Sequence, residues 1–421
     1  MKHKALLLAI GAMLAAGPVA AAEEGPTRQE LVAMIEALNR RNELLEKRLA
    51  QLEARVAQAA GGPELSREQV RTLVEEMLAD SREAMTPGWM ENLTFFGDFR
   101  LRYEYRRFAE STGGRNDDEG RARYRLRVGV KKTWPQEDLE VGFRIASGDV
   151  NGPIGNQTST NETMGDFFSR DEFRIDRAYA MWTPKEIPGL LVTGGKIAHP
   201  WVTTDLVWDS DLNPEGVWVQ YDIQGIDAIT PFVAVGAFFL SNNNPGDDAN
   251  MNVWSTGYRW QLDEDLTWTQ AFTFYETYHY QAGLAAGEEW DYLNLTNKFD
   301  FKAGKVPMQA YVDWVHNCGT NRDTPDEQND GLAFGIKAGT NKKKGDWSAR
   351  YVYKYIQMEA SPRAFNDGDF GDGRKGHVVG VAYNVTDYMR AAVTLYLTEP
   401  IYNPDADGDR TTLHTDLIWN F

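Results

Sequence analysis

The chain has 421 residues and a formal net charge of −18 at pH 7, with 62 acidic against 44 basic side chains. This acidic balance argues against a general nucleic-acid-binding protein, which would carry a net positive charge. Cys318 is the single cysteine, so an intrachain disulfide and a multi-cysteine metal site are both excluded.

The first residues predict an export signal. Lys2 and Lys4 precede an apolar run over Ala5–Ala16, and Ala20–Ala22 supplies small residues for cleavage. A charged start, an apolar core and an A-x-A site are together typical of a secretory signal peptide. The apolar run is shorter than the ~20 residues that a membrane-spanning helix needs. We therefore predict a signal peptide over residues 1–22 and an exported mature protein.

A heptad pattern over residues 27–60 predicts a coiled coil. Leucine takes the d positions, and the a positions are Ile35, Asn42, Leu49 and Val56. We expect a buried Asn42 to fix the register and the oligomeric state. The alternative is a single amphipathic helix packed against the main domain. Residues 64–86 predict a shorter helix and a linker.

From Leu93 onward, apolar and polar side chains alternate with a period of two. Phe99, Leu101 and Tyr103, for example, alternate with charged residues. About sixteen such segments follow one another, most of them with the roughly 9–13 residues that suit tilted membrane strands. Their connections are alternately short and long, which is typical of an antiparallel up-and-down β-barrel. We predict this all-β barrel domain over residues 87–421.

The alternation alone fits two environments, because a soluble sandwich buries its apolar face whereas a membrane barrel turns it toward lipid. The number of long strands favours the membrane barrel, because a soluble sandwich with this many strands would be unusually large. Tryptophans near the short-turn ends of the segments also favour it, because they form a belt at a membrane interface. These are Trp134, Trp182, Trp260, Trp268, Trp347 and Trp419.

Short stretches of the barrel domain resemble a known family. Asp205–Glu215, "DLVWDSDLNPE", and Gly97–Arg106, "GDFRLRYEYR", resemble the putative-porin family of Gram-negative bacterial outer-membrane porins. The stretch "LHTDLIWNF", with Trp419 and Phe421, resembles the signal that the barrel assembly machinery reads. The resemblance implies a location in the bacterial outer membrane, in contact with its lipid and lipopolysaccharide.

The resemblance also bears on assembly. A coiled-coil prefix resembles porins with a periplasmic spacer, which implies a homo-oligomer, a trimer, with the coiled coil in the periplasm and peptidoglycan as a candidate partner. The residues themselves point another way, since β-branched residues at a with leucine at d favour two strands. Leu49 at an a position and the single Asn42 leave the number of strands open.

A ladder of basic residues runs along Gly120–Lys132, "GRARYRLRVGVKK". In a membrane barrel it must face the lumen, because an arginine on the lipid face near the midplane costs ~2–4 kcal/mol. A solvated face of a soluble sheet is the alternative. We predict a basic pore-lining wall made of Arg100, Arg102, Arg106, Arg121, Arg123, Arg125, Arg127 and Arg144.

Acidic residues concentrate in the predicted connection between the fifth and sixth strands. They are Asp205, Asp209, Asp211 and Glu215. In porins the corresponding loop folds into the channel, so the resemblance implies that these carboxylates face the arginine wall across a constriction. The resulting transverse field would orient polar solutes. The alternative is a surface loop whose carboxylates pair with nothing.

The leading interpretation is a channel for passive diffusion of small hydrophilic solutes and ions, with a modest preference for anions. It predicts no catalysis, cofactor, metal or nucleic-acid partner. Two alternatives stay open: a barrel enzyme with His377 or His414 as base, and a membrane anchor or sheath for peptidoglycan or a cytochrome. The acidic loops Asp367–Arg374 and Asp405–Arg410 resemble Ca²⁺ loops only weakly and are predicted to be solvated tips.

Overall fold

The computed structural model describes residues 90–109, 118–148, 158–165, 167–241, 248–280, 289–319, 328–402 and 408–421. All of them belong to one structural unit, Trp89–Phe421. The predicted signal peptide, the coiled coil with Asn42 and the helix over residues 64–86 lie outside the described residues. Within the described ranges, no helix is long and apolar enough to cross a membrane.

Sixteen antiparallel strands form a closed barrel, which confirms the all-β fold predicted from the alternating pattern. The strands are β1 (Leu93–Phe108), β2 (Asp118–Trp134), β3 (Leu139–Ala146), β4 (Arg174–Trp182), β5 (Leu190–Lys196), β6 (Glu215–Asp222), β7 (Ile229–Ser241), β8 (Ala249–Asp263), β9 (Leu266–Tyr278), β10 (Tyr292–Ala303), β11 (Val306–Asn317), β12 (Asp330–Gly339), β13 (Trp347–Ile356), β14 (Arg374–Asn384), β15 (Met389–Pro400) and β16 (Arg410–Asn420). A two-residue bridge, Glu162–Thr163, also pairs with β2, and Arg363–Phe365 forms a single 3₁₀ turn.

The barrel closes between its first and last strands. β1 pairs with β2 on one side and with β16 on the other. At the end of this seam, the amide of Gly97 donates to the carbonyl of Phe421 at 2.8 Å, and the amide of Phe421 donates back at 3.1 Å. A Cβ at Gly97 would lie 2.3 Å from the carbonyl oxygen of Arg127, so only glycine fits here.

Connections at one end of the barrel are short. Those that follow even-numbered strands contain two to seven residues, as in the two-residue turn Glu264–Asp265. Trp134, Trp182 and Trp347 lie at these ends of β2, β4 and β13, with 37–48% of their surface exposed. The aromatic belt that the sequence predicts therefore has its members at the expected level of the strands.

The outer face of the barrel is apolar. On β12, the outward Leu332, Phe334 and Ile336 are 39–43% exposed, whereas Ala333 between them is buried. This pattern is the inverse of a soluble protein and matches strands that face lipid.

The inner face differs between the two sides of the barrel. β1 and β2 turn charged side chains inward, whereas β6–β11 turn a buried apolar cluster inward. The members of that cluster on the strands include Trp218, Phe238, Met251, Val253, Tyr275, Tyr292 and Val315. The sequence interpretation of a polar lumen therefore holds throughout one side of the barrel, whereas on the other side apolar residues share the inner face with buried polar ones such as Asn294 and Asp313.

Candidate functional site

A loop between β5 and β6, Ile197–Pro214, crosses the interior of the barrel; we call it the inward loop. Asp211 Oδ1 of this loop lies 3.4 Å from Arg127 Nη1 on β2. The amide of Thr204, in the same loop, donates to Asp313 Oδ2 on β11 at 3.1 Å. β11 is seven strands from β2 by the shorter way round the ring of sixteen. A loop that touches both strands must therefore pass through the lumen.

A buried polar network fixes the beginning of the inward loop. Asp313 is fully buried on β11, and its carboxylate also accepts the Thr204 hydroxyl, Asn294 Nδ2 at 2.6 Å and Thr296 Oγ1 at 2.8 Å. Lys298 Nζ on β10 donates to the carbonyl of Thr203 at 2.7 Å. Because buried polar groups are costly to leave without hydrogen-bond partners, this network holds the loop to the wall.

Aromatic packing fixes the middle of the inward loop. The ring centroids of Trp201 and Trp208 are 4.7 Å apart and nearly perpendicular. Trp201 packs on Phe238 of β7 at 5.4 Å and on Tyr275 of β9 at 5.6 Å. Since the neighbouring Leu206 and Val207 are also buried, the apolar members of "DLVWDSDL" fill this half of the lumen and leave the other half open to polar groups.

A second loop, Gln357–Gly373 between β13 and β14, also folds inward. Its Phe365 ring packs 4.6 Å from Trp208, and Phe370 is almost fully buried. Asp367 accepts Lys354 Nζ at 3.1 Å, and Asp369 accepts Arg106 Nη2 at 3.2 Å. The prediction that Asp367–Arg374 forms a solvated tip is wrong, because its one aromatic residue, Phe370, packs into the apolar cluster inside the barrel.

The eight predicted wall arginines lie on the inner positions of β1, β2 and β3, and none is exposed. Carboxylates of the wall itself pair with most of them. Glu104, fully buried, contacts Arg106 at 2.7 Å, Arg121 at 2.6 Å and Arg123 at 3.2 Å.

The remaining wall arginines, apart from Arg100, have similar partners. Asp98 contacts Arg125 at 2.7 Å and Arg127 at 2.6 Å. Across the seam, Asp416 accepts two hydrogen bonds from Arg102 at 2.7 and 2.9 Å. On the neighbouring strands, Arg144 pairs with Asp176.

A polar cavity of about 410 Å³ lies between this wall and the two loops. Arginines of β1 and β2 line one side, and carboxylates of both loops line the other, namely Asp205, Asp209, Asp211, Asp367 and Asp369. Asp205 also approaches Arg350 Nη1 at 4.0 Å. Glu215 is not part of this group: it begins β6 and pairs with Lys196 at 2.6 Å, so the loop ends one residue earlier than expected.

Among the carboxylates of the inward loop, Asp209 has the most clearly shifted pKa. Burial raises the pKa of Asp209 to about 9, and the nearby charge of Asp367 adds to the effect. The side chain is therefore neutral at pH 7 and contributes no negative charge to the cavity.

A comparison with protein-family models decides the family. The model described as "Putative porin" matches residues 111–283 and 263–418. The chain belongs to the putative porin family. Membership supports an outer-membrane channel, and the two matched ranges cover most of the barrel. No curated protein matches the chain.

Solved structures similar to this porin are bacterial porins. OprB of Pseudomonas putida, in a high-pH structure, has a TM-score of 0.56 at 11% identity, over 82% of this chain and 97% of that chain. Salmonella typhi OmpF, solved with daunomycin, gives 0.49 at 13% identity, over 78% and 97% of the two chains. At such low identity, the likeness to OprB supports the barrel fold alone.

Residues that sequence reasoning missed in the porin are the carboxylates of its own wall. Asp98 and Glu104 lie at the same alternate positions of β1 as the wall arginines of that strand. The alternating pattern was therefore sufficient to predict that they face the lumen. Asp416 was not, because it meets Arg102 only when the barrel closes. For Asp369, the sequence offers no signal beyond an acidic loop.

Two alternatives depend on histidines. His377 lies on the outer face, with Nδ1 2.9 Å from the Tyr351 hydroxyl, so it is not available to a group inside the barrel. His414 lies inside with Glu104 and Asp369, and ligand atoms of these three residues are within 4.8 Å of one another. Three arginines already surround the Glu104 carboxylate, so this group does not fit a cation.

Proposed function

We propose that this porin forms a water-filled channel for passive diffusion of small hydrophilic solutes and ions across the outer membrane. Family membership supports a channel. The observation that carries the proposal is the inward loop, which touches β2 and β11 and narrows the lumen to a polar cavity. Arginines on one side and carboxylates on the other give a transverse field that favours polar solutes over apolar ones.

The charges of the narrow region support a modest preference for anions. Seven arginines line the cavity, six of them from the wall together with Arg350, and besides the neutral Asp209 four carboxylates line it, Asp205, Asp211, Asp367 and Asp369. Asp98, Glu104 and Asp416 pair with arginines of the wall and reduce the difference. The positive surplus is therefore small, and selectivity is expected to be weak and sensitive to salt.

Strand lengths support a homo-oligomer, for which we propose a trimer. β3, β4, β5 and β6 contain only seven to nine residues. A tilted strand needs about 9–11 residues to cross the apolar layer, so this side of the barrel suits contact with neighbouring copies better than contact with lipid. The remaining outer face contacts lipid and lipopolysaccharide, and the predicted coiled coil extends into the periplasm toward peptidoglycan.

The test is planar-bilayer recording of the refolded mature protein under a KCl gradient. Stable open steps with a reversal potential on the anion side are the expected result. The double variant Asp205→Asn, Asp211→Asn is expected to increase the anion preference, whereas Asp265→Asn, an exposed carboxylate in the short turn between β8 and β9, serves as the matched control. A correctly folded barrel without conductance would exclude the channel and favour an anchor or a sheath for a partner.

A further inference from the structure

Arg100 differs from the other arginines of the basic wall. It lies on the inner face of β1 with only 8% of its surface exposed, and it lines the polar cavity. Among the residues that the structure describes, no carboxylate forms an ion pair with it. Its guanidinium donates to Asn161 Oδ1, and its buried Nε has no hydrogen-bond partner in the described part of the chain.

The neighbours of Arg100 make its buried positive charge energetically unfavourable. Arg125 lies directly opposite on β2, and Arg102 is the next inward residue on β1. Arg125 pairs with Asp98, and Arg102 pairs with Asp416. Arg100 therefore has a guanidinium of like charge on two sides. Asp416 and Asp211 act on Arg100 only at longer range. A buried guanidinium without a direct ion pair is costly, so Arg100, for which the described residues supply none, points to a ligand of opposite charge.

The surroundings supply further polar groups to such a ligand. Asn161 is held beside the wall, because the adjacent bridge Glu162–Thr163 pairs with β2. Arg123 Nη2 donates to the carbonyl of Asn161 at 3.3 Å. Ser159 joins these residues in the lining of the cavity, and its hydroxyl accepts Asn161 Nδ2 at 3.1 Å.

We infer that the cavity beside Arg100 is a binding site for a small organic or inorganic oxyanion, carried by a carboxylate or a phosphate group. Guanidinium groups bind such oxyanions through paired N–H donors, which a spherical halide cannot engage in the same way. The site rests on the proposed function in one respect: it lies on the diffusion path. Its occupancy makes the passage of oxyanions saturable, whereas chloride passes without saturation.

Isothermal titration calorimetry of the detergent-folded protein tests the site without requiring conductance. Succinate and inorganic phosphate are titrated separately into the wild type and into Arg100→Gln. We expect saturable binding of at least one probe, weakened about tenfold or more in Arg100→Gln, since a charge-assisted hydrogen bond is lost. Saturation by succinate alone identifies a carboxylate site, and saturation by phosphate alone identifies a phosphate site.

Two further variants keep the test decisive. Arg259→Gln is the matched control, because Arg259 pairs with Asp222 away from the cavity and its loss is expected to leave binding unchanged. Arg100→Lys preserves the charge but not the paired donors, and its affinity is expected to fall severalfold. Absence of saturable heat with both probes, or equal binding by wild type and Arg100→Gln, would overturn the site.

Bilayer recording separates this inference from the proposed channel. In the wild type, the probe that binds in the calorimeter is expected to reduce the chloride current in a saturable manner. Open channels in KCl without any block by a probe would reject the oxyanion site and leave the channel intact. Saturable binding by a barrel that never conducts would reject the channel and leave the site.

Discussion

The amide of Asp209 donates a 2.7 Å hydrogen bond to the carbonyl oxygen of Phe365, and this contact joins the two loops that fold into the barrel. The rings of Trp208 and Phe365 pack beside it. The loops therefore act as one body, and the arginine wall faces both of them.

Ion selectivity is expected to change with pH through Asp209. Its pKa is raised from 3.8 to about 9, so the folded protein holds this proton more tightly than the unfolded chain does. The stabilisation from the proton is complete below pH 3.8 and is lost as pH rises through 9. Above that pH, a new negative charge enters the cavity. We expect the reversal potential to shift toward cations between pH 7 and 9.5 and to stay constant over this range in Asp209→Asn. An identical shift in the variant would assign the titration to another group.

Asp313→Ala is expected to loosen the beginning of the inward loop. The substitution leaves the buried donors of Asn294, Thr296 and Thr204 without their acceptor, and we expect the free energy of unfolding to fall by about 3 kcal/mol. Single-channel current should become noisier, because the loop gains alternative positions. Thermal unfolding in detergent and open-channel noise are the two measurements. Asp265→Ala, in an exposed turn away from the network, should change neither measurement. An Asp313→Ala channel with wild-type noise would contradict the role of the network.

Trp208→Ala is expected to remove the packing between the two loops. Its ring lies 4.7 Å from Trp201 and 4.6 Å from Phe365, centroid to centroid. Loss of a buried tryptophan costs about 3–5 kcal/mol, and conductance should rise as the loops separate. Trp208→Phe retains most of the contact, so its stability and its conductance should lie between those of the wild type and those of Trp208→Ala. The matched control is Trp347→Ala, whose ring lies half-exposed on the outside. Unchanged conductance in Trp208→Ala would show that packing does not hold the loops.

Gly97→Ala is expected to weaken closure of the barrel. Its Cβ would meet the Arg127 carbonyl at 2.3 Å and the Phe421 ring at 2.6 Å, and the first of these is backbone that cannot turn away. We expect a cost of about 1–3 kcal/mol, visible as a lower temperature for the loss of heat-modifiable mobility on gels. At Gly194, in β5, the nearest atoms to a Cβ are 3.5 and 3.6 Å away, so Gly194→Ala should be tolerated. Equal melting of the two variants would contradict the close approach.

The barrel itself was predictable because its signal is local. Alternation in a segment such as Leu332–Ile336 already reports which face is apolar, and sixteen repeats of it define the class of fold. The position of the inward loop was inferred from the family resemblance. The loop ends one residue earlier than that inference implied, because Glu215 already belongs to β6. Roles of Trp419 and Phe421 as an assembly signal stay a prediction, although Trp419 packs on Phe99 at 5.7 Å across the seam.

Two features escaped sequence reasoning for physical reasons. The apolar inner side lies on segments such as Ile229–Ser241, where both faces carry apolar residues and the alternation is lost. The partner of Arg102 is Asp416, 314 residues away, and no local pattern reports such a pairing. That Arg100 has no ion pair within the described part of the chain escaped for the same reason, since this is visible only once the partners of the neighbouring arginines are known.

The seam between β1 and β16 has a kinetic consequence. Leu101 and Leu417 face each other across more than three hundred residues, so the ring closes only through the most distant contact in the barrel, and such contacts form slowly. Until that moment, both open edges can template pairing with another chain. Closure is unimolecular, whereas pairing between chains is bimolecular. Dilution, or a factor that shields the two edges, should therefore raise the yield of closed barrels without changing their final stability.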